Sequence, residues 1–103
     1  MRTEFINREF DKISVGMGAS GTYWSDCTPF EVVRVVSDKT VDIRELDYEL
    51  VSGSEFDGSA EYKYYVNENN PIIRVRKGKR GWRTAQGMRI GFGYARRYYD
   101  PSF

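Results

Sequence analysis

Guanidinium groups beside aromatic rings neutralise phosphates and stack on bases, and the last third of this chain holds many of both. Arg74, Arg76, Lys77, Lys79, Arg80, Arg83, Arg89, Arg96 and Arg97 lie between Ile72 and Arg97 with no acidic residue among them, and Trp82, Tyr98 and Tyr99 stand close by. A second cluster, Thr22 to Asp26, sets Tyr23 and Trp24 among short polar side chains. The candidate ligand-binding residues are therefore Tyr23, Trp24, Asp26, Arg76, Trp82, Arg89, Arg96 and Arg97. Each also has a plainer role open to it. The aromatic residues would serve equally as core. The basic residues would pair across strands with the acidic stretch of Asp42, Glu45, Asp47, Glu49, Glu55, Asp57, Glu61 and Glu68, each such pair contributing about 0.2–1 kcal/mol. Because the net charge is only +1, the distribution of charge carries the information about partners, not its total.

Other chemistries are poorly supplied. The chain has no histidine, which removes the commonest general base near neutral pH and the commonest ligand of zinc, copper and iron. Its single cysteine, Cys27, forms no internal disulfide, fits a reducing cytoplasm and, with no histidine beside it, argues against a zinc site. Gly16 and Gly18 make a Gly-x-Gly step, but neither a Gly-Lys-Ser/Thr sequence nor a helical pattern follows, so a nucleotide-binding loop of the Walker kind is not expected. Carboxylates among Asp42, Asp47, Glu49, Asp57 and Glu61 read as a solvated face. The expectation is a protein that binds without catalysing, with no metal and no cofactor. No apolar run approaches the roughly 20 residues of a membrane span, and Met1 to Phe10 is too polar for a signal peptide, so the expected location is the cytoplasm.

The elements that must position these side chains read as β. A length of 103 residues suits one core rather than two. The aromatic fraction of 16%, with many Val and Ile, fits a half-buried pleated surface better than a helix. Residues 1–12 are expected to be an arm or short helix, and residues 13–103 a single domain. Ile13, Val15, Met17 and Ala19 alternate with small polar residues, which predicts a strand running into a glycine-rich turn. Phe30 to Val36 and Thr40 to Arg44 flank the turn Ser37-Asp38-Lys39 and predict a hairpin with Val32, Val41 and Ile43 buried. Ser52 to Ser59 reads as an exposed loop. Further strands are expected at Tyr62 to Val66, Ile72 to Lys77 and Trp82 to Thr84, and a last one at Met88 to Tyr94 with one face almost bare, open to another backbone or a flat ligand. The fold class is all-β or mainly β: a small antiparallel sheet, β-roll or small barrel of about five to seven short strands.

Val15 to Ala19, Tyr23 to Asp26, Val32-Val33, Lys39-Thr40 and the ending Tyr98 to Phe103 resemble a family of small proteins encoded in phage and prophage genomes. The likeness covers roughly residues 13–45 and 72–103. Relatives carry an arginine where Cys27 stands and another where Ala95 stands, beside Arg96 and Arg97. Their Leu-Arg-Lys-Asn-Gly-Arg-Trp run is similar to Val75 to Trp82, with one residue extra here. The motifs bring no defined activity with them, but small phage proteins often act against host immunity. Some sequester nucleotide signals, including cyclic ADP-ribose-type messengers of Thoeris systems and cyclic oligonucleotides; others are anti-CRISPR inhibitors. What the resemblance implies, joined to the arginine excess, is a phage protein in the host cytoplasm that binds and sequesters a phosphorylated, adenine-like signal of antiviral defence at a homo-oligomer interface. The alternative is a nucleic-acid-binding or protein-blocking inhibitor that uses the basic C-terminal hairpin.

Overall fold

The computed structural model describes residues 2–23, 26–54 and 59–98. They form nine strands: β1 (Thr3–Phe5), β2 (Gly18–Tyr23), β3 (Asp26–Ser37), β4 (Thr40–Glu45), β5 (Asp47–Ser52), β6 (Glu61–Val66), β7 (Ile72–Gly78), β8 (Gly81–Thr84) and β9 (Arg89–Phe92). Strands β2, β3, β4, β7, β8 and β9 close into a six-stranded antiparallel barrel, and β1, β6 and β5 make a small antiparallel sheet beside it. The protein is all-β, and the described residues contain no helix.

Alternation explains the barrel. Val41 and Ile43 of β4, Val75 of β7 and Ile90 of β9 point inward with Met17, Ala19, Phe30 and Val32 and are buried together. Burying a Val, Ile or Phe side chain contributes about 1.5–3 kcal/mol. The hairpin of β3 and β4 is as the sequence predicts, with Val32, Val41 and Ile43 no more than 1% exposed. Register shifts between Val32 and Arg34 and between Val35 and Ser37 interrupt its ladder. Beyond the first of these bulges Val35 and Val36 are 42% and 40% exposed.

Three expectations are corrected. Residues 2–12 contain no helix: Thr3–Phe5 is a strand paired with β6, and Phe5 joins Leu46 and Ala95 in a second buried cluster that includes Tyr64 and Val66 at its edge. Ile13 to Met17 is not a strand. That stretch turns on a hydrogen bond from the Met17 N–H to the Ser14 carbonyl, 3.1 Å, with Gly16 at a φ of 93°. The sequence pattern predicts a glycine-rich turn next, yet Gly18 and Gly21 lie within β2. A Cβ on Gly21 would collide with the Met88 sulfur and stand 2.7 Å from the Phe30 ring; the missing side chain is what lets the barrel interior fill.

The face expected to be bare, on the last strand, has no backbone against it at Gly91; the close backbone approach is instead at Gly18 of β2. After β9, Gly93 adopts a φ of 121° and the chain crosses the outside of β2. The Gly93 N–H donates to the Gly18 carbonyl at 2.8 Å, and the Asn7 amide donates to the Ala95 carbonyl while its oxygen accepts from the Ala95 N–H. A Cβ on Gly18 would stand 2.5 Å from the Ala95 nitrogen, whereas one on Gly91 of β9 would meet nothing. Reciprocal backbone bonds between Cys27 and Tyr98 anchor the far end of the crossing.

Candidate anion-binding site

Two glycines bracket the turn between β7 and β8, and the register runs from Gly78 opposite Gly81 through Lys77 opposite Trp82 to Arg76 opposite Arg83. The two-residue connection Lys79-Arg80, with Gly81 at a φ of 93°, thus sets the two arginines face to face. On the next strand, Arg89 of β9 is the partner of Arg83. Residues directly opposite each other point to the same face, so Arg76, Arg83 and Arg89 form a row over three adjacent strands on the outside of the barrel. On its other flank Arg76 faces Thr40. Among the described residues no carboxylate lies within ion-pair distance of any of the three. One Arg83 nitrogen donates to the Gly87 carbonyl at 3.1 Å, which holds the middle of the row in place.

The β4 flank of β7 is built differently. Arg74 stands opposite Asp42 and grips it through Nε at 2.9 Å and Nη2 at 3.3 Å. The hydrogen bond from Arg74 holds the Asp42 carboxyl below the usual aspartate range, outweighing the upward push of burial. One strand further, Arg44 closes on Glu31 at 3.1 Å.

Three hollows meet at Thr84. A groove of about 390 Å³ is lined by Arg74, Arg76, Arg83, Thr84 and Ala85. A second, of about 400 Å³, follows the β7–β8 hairpin past Lys77, Lys79 and Arg80. The third, about 380 Å³, is an apolar slot lined by Tyr23, Ile73, Thr84, Gln86 and Met88. The Thr84 hydroxyl accepts the Met88 N–H at 3.1 Å, which ties the border between slot and groove. These volumes lie in the lower part of the range for small-molecule sites. An apolar slot next to clustered guanidiniums accommodates a flat ring and an attached anion.

The candidate residues divide among several places. Tyr23 lines the slot, Arg76 lines the grooves, and Arg89 extends their row. Asp26 is the register partner of Tyr23 at the β2–β3 end. Trp82, partly buried, packs against the core, edge to face with Phe92 at 5.1 Å between ring centroids. Arg96 and Arg97 belong to a separate cleft of about 400 Å³ with Glu61, Tyr62, Tyr64 and Tyr94. There the Arg97 guanidinium lies 4.6 Å from the Tyr48 ring, its backbone N–H donates to the Tyr64 hydroxyl at 2.7 Å, and Arg96 lies 5.2 Å from the Tyr98 ring. Burial raises the pKa of that Tyr64 hydroxyl. Trp24 lies outside the described residues. Arg83 stands in the basic stretch but is not among the candidate residues, nor are Ile73, Thr84, Gln86 and Met88; the signal for Arg83 is the two-residue turn, whose register makes it the partner of Arg76.

Among the described residues no group of histidine, cysteine and carboxylate side chains is arranged to hold a metal ion, and no helix is long and apolar enough to cross a membrane. Compared with known proteins, the chain matches no family model, no curated protein and no solved structure.

Proposed function

We propose that the barrel binds a phosphorylated nucleotide-type small molecule without transforming it. The base enters the slot under Tyr23, and the phosphate lies on the arginines beyond Thr84. The observation that carries this is that Thr84 lines both the apolar slot and the groove of Arg74, Arg76 and Arg83. The lack of histidine supports binding over turnover. Both hollows open to the outside, which is the geometry a second copy of the chain would close, and sequestration of a defence signal is the role implied by the likeness to phage proteins.

Calorimetric titration with adenosine, adenosine monophosphate and ribose 5-phosphate tests it. The monophosphate should bind more tightly than either fragment, and Tyr23→Ala should weaken it by about 1–3 kcal/mol if the ring stacks, with the nucleotide recovered intact by mass spectrometry. Equal binding of ribose 5-phosphate and the nucleotide would remove the slot from the site.

Lys77, Lys79 and Arg80 continue the positive surface along the hairpin, which favours single-stranded nucleic acid as a second reading. Its signature is an affinity that falls steeply and linearly with the logarithm of salt concentration.

A further inference from the structure

Resting on that reading, we propose that the anionic part of the ligand is a chain of two or three phosphates, laid across β7, β8 and β9 so that Arg76, Arg83 and Arg89 each take part. Neighbouring strands lie about 4.7–4.9 Å apart, so the row spans about 10 Å at the backbone. A single phosphate covers only part of that span, whereas a linear polyphosphate runs the length of the row. Like charges directly opposite one another destabilise a sheet, and this row contains two such contacts in succession, Arg76 on Arg83 and Arg83 on Arg89. A polyanion bridging all three removes both repulsions at once. The row is also partly pre-set, because the Gly87 carbonyl fixes its central member, and guanidinium forks suit adjacent phosphate oxygens.

The test uses orthophosphate, pyrophosphate and tripolyphosphate at matched ionic strength, on the full chain and on two variants of equal charge loss. One, Arg76→Gln with Arg89→Gln, removes the ends of the row; the other, Lys79→Gln with Arg80→Gln, removes charges at the turn beside it. Affinity should rise about tenfold or more from orthophosphate to tripolyphosphate. The end variant should lose most of that gain while its melting temperature holds or rises, and the turn variant should keep it. A similar loss in both variants would reduce the preference to general attraction by positive charge and overturn the proposal, as would equal affinity for the three anions. Adenosine monophosphate and diphosphate separate the two levels of argument. Monophosphate binding with no gain from the second phosphate sinks the polyphosphate row and leaves the nucleotide reading standing; tripolyphosphate binding with no added affinity from adenosine does the reverse.

Discussion

The two flanks of β7 carry similar side chains and opposite electrostatics. Toward β4, Arg74 meets Asp42, and one strand beyond, Arg44 meets Glu31. Toward β8, Arg76 meets Arg83 and Arg83 meets Arg89. On one flank the charges satisfy each other; on the other, among the described residues, no carboxylate stands within ion-pair distance of the arginines. A basic stretch in a sequence is therefore not one thing, because its meaning is set by which neighbour the register supplies. In this chain the acidic segment supplies β4, and nothing acidic supplies β8 or β9.

Breaking the paired flank should have the largest effect on stability. Asp42→Asn keeps the size but gives up the charge that Arg74 grips, at a cost of about 1 kcal/mol once the half-exposed arginine is discounted for solvent. The loss should depend on pH. Since folding lowers the Asp42 pKa below 3.8, its contribution is present above that value and fades as pH falls through the lower, folded-state pKa. Melting curves of the parent and of the Asp42→Asn variant, recorded from neutral pH down into strong acid, should therefore converge at the acid end; a constant gap would assign the loss to packing. A smaller effect of opposite sign is expected on the other flank. Arg76→Gln relieves one like-charge contact and should stabilise the unliganded protein by about 0.2–1 kcal/mol, with the gain shrinking in high salt. Destabilisation instead would mean that the row is not repulsive in the free protein. The smallest effect belongs to Arg2, whose ion pair with Glu49 at 2.7 Å is more than half exposed on the arginine side. Arg2→Ala should change stability by no more than about 0.5 kcal/mol in a denaturant titration, even though this contact is shorter than the Asp42 pair.

Local pattern made much of the fold legible. Phe30 to Arg44 announced its hairpin through β-branched residues on either side of a polar turn, and Tyr62 to Val66, Ile72 to Lys77 and Trp82 to Thr84 lie within β6, β7 and β8. β5 escaped notice because Asp47, Glu49 and the exposed Leu50 and Val51 carry no clean alternation: most of this strand is solvated, and it is held by backbone pairing to β6. The segment Ile13 to Met17 misled in the other direction, since its alternation comes from a turn that tucks Met17 into the core. In the site, the basic stretch was visible but its division was not. Arg96 and Arg97 follow the crossing over β2 and end far along the chain's path from the Arg76 row, and only the closed topology reveals that Tyr23 and Met88 line one slot. Trp82 shows the same limit. Sequence gives its chemistry, while facing Phe92 from the inner side of β8 decides its use.

Closing the barrel through β2 and β9 also sets its folding order. Ala19 pairs with Phe92 and Thr22 with Arg89, so the last seam joins segments separated by about two-thirds of the chain, while the β3–β4 and β7–β8 hairpins need only their own short turns. Loop entropy must be given up before distant pairings return any energy, and chains dominated by such contacts fold slowly, in milliseconds to seconds. The hairpins, with their short closures, are therefore expected to form ahead of the seam. Until β9 reaches β2, both strands present open edges, and the crossing through Gly93 and Ala95 acts as the latch that keeps the finished cylinder shut.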